Sequence, residues 1–412
     1  MAIIKPFECV RPKKEYVSKV AALPYDVYNR AEALREVQKE PMSFLRIDRA
    51  ETQFDESVDT YDERVYKKAH DILWDMIKQG SFEKDTKKCY YVYQLVMNGR
   101  SQTGLVACAS IDDYENNIIK KHEKTREDKE IDRIKHVDTC NAQTGPIFLA
   151  YRSNDIINEL VKNKMKEEAM YHFVAEDHVT HTVWKIEESK QVSVIEQAFQ
   201  TIDQIYIADG HHRAASAVKV GLKRRALNQN HTGKEEYNFF LSVLFPDDQL
   251  MILPYNRVVK DLNGYSETEF LDKVKENFEV QEMGKEPYEP NKKATFGMYL
   301  NHTWYELTAK HHLISKDAVE GLDVSILQNY LLEPILNIKD PRTDKRIDFI
   351  GGIRGVKELE RRVCEDMKVA FSMYPTKISE LFEVADANQL MPPKSTWFEP
   401  KLRSGLFIHT LE

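Results

Sequence analysis

The sequence predicts an α+β protein in which mixed sheets carry flanking helices. Segments rich in aromatic and β-branched residues alternate along the chain with segments whose apolar residues recur at helical spacing. The composition is 42% hydrophobic and 31% charged with only 15 Gly and 15 Pro, which is typical of a packed globular chain. At 412 residues the chain is long enough for two or three domains of roughly 100–200 residues.

The first elements follow from short local patterns. Asn29, with Glu32 three residues later, predicts a capping box that opens a short helix ending near Val37. Apolar residues at helical spacing predict a second helix over 61–77, which Gly80 can close in the left-handed conformation. The dipeptide Asn98-Gly99, between strand-like segments at 90–97 and 103–111, predicts a β-hairpin.

The rest of the chain continues the same alternation. Further strands are predicted at 182–186, 204–208, 238–245, 251–253, 295–300, 303–307 and 406–409, and helices at 154–171, 192–199, 213–227, 267–278 and 356–367. No repeat or biased linker marks a boundary between domains. We predict an N-terminal α/β lobe over 1–150, a phosphate-loop region over 151–265, and a C-terminal α/β region over 266–412 whose tail returns to the site.

Charge and composition exclude several classes of protein. Lys and Arg number 59 against 67 Asp and Glu, and the resulting net charge of −8 argues against a nucleic-acid partner because the chain as a whole repels phosphate backbones. No apolar segment approaches the roughly 20 residues of a membrane span, and residues 1–22 lack the core of a signal peptide. We therefore expect a cytoplasmic protein with no membrane partner. Five cysteines without a CxxC pair predict reduced thiols.

The most informative segment is Asp209-Gly210-His211-His212-Arg213, which joins an apolar strand to an alanine-rich helix. Gly210 permits a tight turn, and the first N–H groups of the helix lack intrahelical acceptors, so this end can bind an anion. Two histidines and a permanently charged arginine add donors suited to a phosphate. Asp209 is then a candidate ligand for a divalent cation. The alternative is that Asp209 only caps the helix and the other side chains are structural.

A second polar segment runs from Lys121 to Arg126 and contains His122, Glu123 and Thr125. A carboxylate flanked by an imidazole and a hydroxyl can serve as a general base with groups that orient an alcohol. The alternative is a solvated surface loop, which accounts for the charge alone.

A third segment, residues 390–401, contains three prolines together with Lys394 and Ser395 among aromatic residues. Prolines prevent a regular helix, so the composition fits an ordered binding loop near the C-terminus. The alternative is a packed tail.

These three segments, with Lys5-Pro6-Phe7 and Leu23-Pro24-Tyr25-Asp26-Val27, together resemble the domain-of-unknown-function 1015 family of bacteria and archaea. The element at 209–213 is similar to the Gly-x-His-Arg phosphate loop of the ParB and sulfiredoxin superfamily, whose members include nucleotide-dependent free serine kinases. The resemblance implies a ParB/sulfiredoxin-like nucleotide-binding core with an additional α/β lobe. It implies a magnesium ion near Asp209, an acidic residue as base, which we assign to Glu123, and nucleotide phosphates at Gly210, His211, His212 and Arg213. We further predict that His122 and Thr125 fold back beside this loop, together with Lys394 and Ser395 from the C-terminal segment.

The function expected from this site is a magnesium-dependent phosphotransferase that moves a phosphoryl group from ATP or ADP to a small hydroxyl compound such as free serine. Phosphoryl transfer needs mainly positioning and charge neutralisation, and the predicted anion site, metal carboxylate and base supply both. One alternative is a ParB-like regulator that senses a nucleotide without kinase activity. Another is a scaffold whose polar loops mediate assembly. The acceptor, the choice between ATP and ADP, and the oligomeric state stay open.

Overall fold

A computed structural model describes all 412 residues and divides them between two units. Unit 1 comprises residues 1–250 together with 400–412, and unit 2 comprises residues 251–399. The boundary predicted near residue 150 falls inside unit 1, and the boundary predicted near residue 265 falls inside unit 2. The C-terminal tail belongs to unit 1. No helix is both long and apolar enough to cross a membrane.

Thirteen α-helices and five sheets make up the fold, which is a mixed α and β arrangement as predicted. The strands are β1 Ile4–Lys5, β2 Val10–Pro12, β3 Phe82–Lys84, β4 Tyr90–Met97, β5 Arg100–Ser110, β6 Ile119–Lys120, β7 Ala142–Gln143, β8 Ile147–Tyr151, β9 Tyr171–Val174, β10 Thr180–Ile186, β11 Ile205–Asp209, β12 Phe239–Pro246, β13 Ile252–Leu253, β14 Tyr255–Val259, β15 Phe278–Gly284, β16 Thr295–Leu300, β17 Thr303–Ala309, β18 Ile347–Gly351, β19 Val369–Met373, β20 Trp397–Phe398 and β21 His409–Thr410. The helices are α1 Val17–Val20, α2 Arg30–Lys39, α3 Leu45–Asp48, α4 Glu63–Lys78, α5 Ile111–Glu115, α6 Glu127–Cys140, α7 Asp155–Lys164, α8 Ser189–Phe199, α9 His211–Leu227, α10 Glu267–Asn277, α11 Asp323–Leu327, α12 Val356–Glu365 and α13 Ile378–Asp386.

Unit 1 is built on a nine-stranded sheet in the order β6-β11-β8-β12-β5-β4-β10-β9, with β1 paired to residues 108 and 109 of β5. The pairs β6 with β11 and β8 with β12 are parallel, and the other pairs are antiparallel. Ala214 and Ala217 are buried in the core of this sheet, so small side chains bring the first turns of α9 against it. Strand β11, next to the edge strand β6, and helix α9 therefore flank the predicted phosphate loop.

A second core in unit 1 lies among the N-terminal helices. Helices α2, α3 and α4 bury their apolar residues around Phe44, and Cys140 at the end of α6 joins them. The C-terminal tail packs on the same core through Ile408, whose backbone pairs with Val10. The last residues of the chain are thus part of the packing of the first ones.

Unit 2 is built on a six-stranded sheet in which every pair is antiparallel, in the order β15-β17-β16-β19-β14-β18. Its core includes the fully buried Trp304 and Leu359. A small separate sheet pairs β13 with β20 within the same unit.

Several sequence predictions of elements are confirmed. The capping box of Asn29 and Glu32 opens α2, and α4 ends just before Gly80, which takes a left-handed φ of 80°. Asn98 and Gly99 both have positive φ and join β4 to β5 as a hairpin.

Other element predictions were wrong in their extent. The helix predicted over 154–171 ends at Lys164. Tyr171, at the predicted end of that helix, instead begins β9, in which Tyr171 and Phe173 alternate with exposed residues at strand period. In the strand predicted at 406–409, only His409 with Thr410 pairs in a regular ladder. Helices α6 and α13 were not predicted.

Gly405 in the tail combines a left-handed backbone with crowding. Its φ is 76°, and an added Cβ would lie 2.3 Å from the ring of the fully buried Phe44. Gly233 has a similar φ of 84° but nothing within 4 Å of an added Cβ. Substituting Gly233 by alanine therefore measures the cost of the left-handed backbone alone, whereas substituting Gly405 measures that cost together with the cost of overpacking.

We predict that Gly405→Ala destabilises the protein more than Gly233→Ala does. Gly233→Ala should cost about 1–2 kcal/mol for the left-handed conformation. Gly405→Ala should cost a further 1–3 kcal/mol, roughly, for the overlap with Phe44. Urea unfolding followed by circular dichroism measures both, and equal losses in the two variants would contradict the packing described for the tail.

Candidate functional site

The predicted loop is a direct junction of strand and helix. β11 ends at Asp209, Gly210 takes the left-handed conformation with φ 93°, and α9 begins at His211. No side chain caps this helix, and the backbone N–H groups of its first three residues have no acceptor in the protein. Such N–H groups, at the positive end of a helix dipole, bind anions.

Asp209 is held on both carboxylate oxygens. Oδ1 accepts a hydrogen bond from the Gly210 N–H at 2.9 Å, and Oδ2 forms an ion pair with Lys401 Nζ at 2.8 Å. Burial raises the pKa of Asp209, but Lys401, Arg213 and the Gly210 N–H outweigh it, so that the pKa is lowered from its ordinary value. Asp209 is therefore an anion at neutral pH, and Lys401 is its counterion.

This arrangement does not present Asp209 to a magnesium ion. Magnesium needs carboxylate or phosphate oxygens in octahedral geometry, whereas an ammonium and an amide already occupy the two oxygens of Asp209. No group of three or more His, Cys, Asp or Glu side chains is placed to hold a metal. The prediction that Asp209 ligates magnesium requires Lys401 to release the carboxylate, and it stays a prediction.

The segment 122–126 lies on the start of α9 and is attached there by the two histidine rings. The His122 N–H points at His211 Nε2 at 3.5 Å, and the Arg126 N–H donates to His212 Nε2 at 3.0 Å. Because these Nε2 atoms accept, both neutral imidazoles carry their proton on Nδ1. The rings of His211 and His212 thus accept hydrogen bonds from the main chain of segment 122–126. The main-chain N–H groups of these two histidines, at the start of α9, have no acceptor and can bind an anion.

Glu123 lies beside His211. His211 Nδ1 lies 3.6 Å from Glu123 Oε2, and about half of the Glu123 side chain is exposed. Burial, together with the neighbouring His122 and His212, lowers the pKa of His211 well below its usual range, so the ring is neutral. The 3.6 Å separation is longer than a hydrogen bond, so the neutral ring lies beside the Glu123 carboxylate without bonding to it.

His122 contains a buried polar atom without a partner. Its ring packs edge to face on His211, with ring centroids 4.4 Å apart, and only 3% of the residue is exposed. The ring hydrogen-bonds to the backbone of Ile207, but Nδ1 has no hydrogen-bond partner. Burial lowers the pKa of His122 to about 4, partly offset by Asp209 and Ile207. A buried ring nitrogen without a partner is uncommon in folded proteins, so this one requires a physical explanation.

Thr125 is engaged inside the protein. Its hydroxyl donates to Glu130 of α6, and Glu130 also pairs with Lys219 of α9. The Thr125 hydroxyl can still accept a hydrogen bond but does not donate one to a ligand in this arrangement.

Arg213 is a cation without a carboxylate partner. Its Nη1 lies 3.5 Å from the Pro146 carbonyl oxygen, and its guanidinium lies over the Tyr25 ring at 5.3 Å. Arg133 lies over the same ring at 4.1 Å, but it is paired with Asp132. Burial raises the pKa of Tyr25 to about 12, so the ring between the two cations is neutral. Arg213 therefore forms no salt bridge, although its charge contributes to the lowered pKa of Asp209.

A cavity of about 30 Å³ is lined by Arg213, Tyr25, Thr144 and Gly145 among others. This volume suits water molecules and is too small for a nucleotide.

Lys394 and Ser395 belong to unit 2. The Lys394 carbonyl accepts a hydrogen bond from Arg257 at 3.1 Å, and its ammonium lies 5.4 Å from the Tyr255 ring centroid. The Ser395 hydroxyl donates to the Pro392 carbonyl at 2.6 Å. Their role with the nucleotide phosphates stays a prediction.

Sequence reasoning did not identify Lys401 or Tyr25 as members of the site. Lys401 stands 192 positions from Asp209 and Tyr25 far upstream of Arg213, and no local pattern predicts either contact. Two sequence signals indicated that the segments carrying these residues are ordered. They are the prolines before Lys401 and the Leu-Pro-Tyr-Asp turn that contains Tyr25.

Residues 4–325 match the family described as protein of unknown function (DUF1015), and the chain belongs to this family. No curated protein matches the chain. The sequence link to ParB and sulfiredoxin stays a prediction.

Three solved structures resemble parts of the fold distantly. A mutant of a free serine kinase in complex with AMP is 16% identical, with a TM-score of 0.36 over 77% of this chain and 93% of that one. A conserved hypothetical protein from Pyrococcus furiosus is 15% identical, with a TM-score of 0.34 over 73% and 93%. SbnI with a C-terminal truncation, from Staphylococcus aureus, is 9% identical, with a TM-score of 0.38 over 72% and 85%. At these distances the likenesses carry no functional argument.

We predict that His122 makes the stability depend on pH. An unfolded histidine binds its proton near pH 6.5, whereas folded His122 does so only near pH 4. Between these values the unfolded state carries more protons, so the free energy of unfolding falls as the pH is lowered through this window, by about 3 kcal/mol for this group. His122→Gln should flatten the pH dependence measured by urea unfolding, while the exposed His311→Gln should not. A His122→Gln profile as steep as the wild type would contradict the assignment.

Proposed function

We propose that the protein is a nucleotide-dependent phosphotransferase that moves a phosphoryl group from ATP or ADP to a small hydroxyl compound. The observation that carries the proposal is the combination in unit 1 of an uncapped helix start, an arginine without a carboxylate partner and a half-exposed carboxylate beside a histidine. Catalysis of phosphoryl transfer consists mainly of positioning and electrostatic stabilisation, which these groups can provide.

The first turn of α9 would hold the phosphates. Its N–H groups point away from the helix, and Gly210 has no side chain to block the approach of a phosphate oxygen. Arg213 would add charge-assisted hydrogen bonds. His211 and His212 would act here through their main-chain N–H groups, since their rings hold the segment 122–126. Lys394 and Ser395 would contribute further donors.

Glu123 would act as the general base. The alcohol oxygen attacks the terminal phosphorus as its proton passes to the Glu123 carboxylate, and the bond from that phosphorus to the bridging oxygen breaks. ATP would leave as ADP, and ADP would leave as AMP. The neutral His211 ring would lie beside Glu123, and His122 and Thr125 would shape the same wall. Free serine is the first acceptor to test.

Magnesium enters the proposal as the ion that accompanies the nucleotide. With Lys401 on Asp209, no step is derived through a metal at that carboxylate. A ParB/sulfiredoxin-like origin of the core and a cytoplasmic location belong to the same proposal.

We predict that Arg213→Ala weakens nucleotide binding by roughly 1.5–3 kcal/mol, the usual contribution of a hydrogen bond to a charged group. Isothermal titration calorimetry with ADP and with ATP measures this change. Arg342→Ala, which removes an exposed arginine paired with Asp340 in unit 2, is the matched control and should bind like the wild type. Equal affinity of the Arg213 variant and the wild type would contradict a phosphate site at the loop.

We predict that Glu123→Gln retains nucleotide binding but loses turnover by roughly 10²–10⁴-fold, because the amide keeps the shape and cannot accept the proton. The measurement is mass detection of phosphorylated product after incubation with ATP or ADP, magnesium and a panel of hydroxyl compounds that includes serine. Unchanged turnover would refute the role of Glu123. Tight nucleotide binding by the wild type with no product from any compound would favour the nucleotide-sensing regulator.

A further inference from the structure

The C-terminal tail crosses the predicted site and is fixed there by backbone pairing. Ser404 pairs with Ala22 through hydrogen bonds of 2.8 and 3.2 Å, and the Gly405 N–H donates to the Thr144 carbonyl at 2.9 Å. Ala22 precedes the turn that carries Tyr25, and Thr144 precedes Gly145. The tail therefore joins the two segments that surround the Arg213 guanidinium.

Arg403 fixes the tail from its other side. Its Nη2 lies 2.6 Å from both carboxylate oxygens of Asp177, and its Nε donates to His181 Nε2 at 3.2 Å. The buried His181 ring in turn contacts the Tyr93 hydroxyl at 2.7 Å. This network holds the tail without the help of Lys401 or of the Ser404 side chain.

Lys401 places a second cation at the loop. Its ammonium lies 2.8 Å from Asp209 Oδ2, and the other oxygen of Asp209 accepts the N–H of Gly210, the residue at which α9 starts. Only 18% of the lysine side chain is exposed, against 44% of the aspartate. The Lys401 side chain thus reaches the Asp209 carboxylate at the N-terminal end of α9. A phosphate bound at this helix end would need a positive charge at the same place.

Ser404 provides an independent observation. The residue is fully buried, and its hydroxyl has no hydrogen-bond partner. An added Cβ on Gly145 would lie 2.6 Å from Arg213 Nη1 and 2.9 Å from Ser404 Oγ, so the hydroxyl and the guanidinium crowd the same glycine. A buried hydroxyl without a partner is costly, and a bound polar group that pairs with it would remove that cost.

We propose that the tail is part of the phosphate site, with Lys401 binding a phosphate oxygen of the nucleotide and Ser404 supplying a second polar contact beside Arg213. This inference rests on the proposed function, whose phosphate donor it addresses. In the absence of nucleotide, Asp209 holds the Lys401 ammonium at the loop through their ion pair. When a phosphate binds, its greater negative charge attracts the ammonium away from Asp209. The lysine would neutralise phosphate charge at the position where a metal was expected.

The test is calorimetric titration of the full-length protein with ADP and, separately, with inorganic pyrophosphate. Lys401→Met should bind both probes roughly 10–100-fold more weakly, as expected for the loss of one charge-assisted contact, and Lys401→Arg should recover most of the affinity. The matched control is Lys185→Met, which also removes a partly buried lysine paired with an aspartate, but on β10, five strands away from β11. It should bind both probes like the wild type.

Ser404→Ala provides a second test of the inference in case Lys401→Met does not fold. Because the hydroxyl has no partner in the protein and its burial is costly, the alanine variant should unfold at the wild-type temperature or above and still bind the probes several-fold more weakly. Wild-type affinity in either folded variant overturns the role of that residue, as does a Lys401→Met variant that melts earlier yet binds normally.

The outcome also separates this inference from the proposed function. Binding that depends on Lys401, with no phosphorylated product from any alcohol, supports the tail as a phosphate site and refutes the phosphotransferase. Product formation with no effect of Lys401→Met supports the phosphotransferase and overturns the inference. No binding of either probe to the wild type overturns both.

Discussion

The left-handed backbone at Gly210 is the constraint on which the site depends. With φ at 93° the chain passes from β11 to α9 without a connecting loop, so the Asp209 carboxylate and the first N–H groups of the helix lie within one turn of each other. A residue with a Cβ strains this conformation. The remaining contacts are built outward from the junction: the segment 122–126 on the two histidines, Arg213 over Tyr25, and Lys401 on Asp209.

At this junction the histidine side chains are neutral, and the positive charge is carried by an arginine and a lysine. The imidazoles of His122, His211 and His212 have lowered pKa values because they are buried, so they shape the site as neutral groups. The cationic side chains at the loop are Arg213, which has no carboxylate partner, and Lys401, which is paired with Asp209. A phosphate entering the site would meet main-chain N–H groups and two cations. The prediction that His211 and His212 supply donors to a phosphate stays a prediction.

The sequence predicts those parts of the site that arise from neighbouring residues. The Asp-Gly step after an apolar strand, followed by alanines, predicts the strand, the turn and the helix start, because each is decided within a few residues. Helix α6 was not predicted because its buried face includes the charged residues Glu130, Asp132 and Arg133. The segment therefore lacks the apolar residues at helical spacing from which an amphipathic helix is predicted. Those charges are tolerated because Arg133 pairs with Asp132 at 2.8 Å and Glu130 with Lys219. The contact of Lys401 with Asp209 depends on the path of the whole chain, which no local pattern contains.

A crystal structure of the protein with bound ADP tests the central claim most directly. The account predicts the terminal phosphate at the start of α9, with its oxygens accepting from the first N–H groups of the helix and from the Arg213 guanidinium, as at other helix N-termini that bind phosphate. It also predicts that Glu123 faces the space beyond that phosphate. An ADP molecule bound elsewhere, with no phosphate at Gly210 to Arg213, would contradict it.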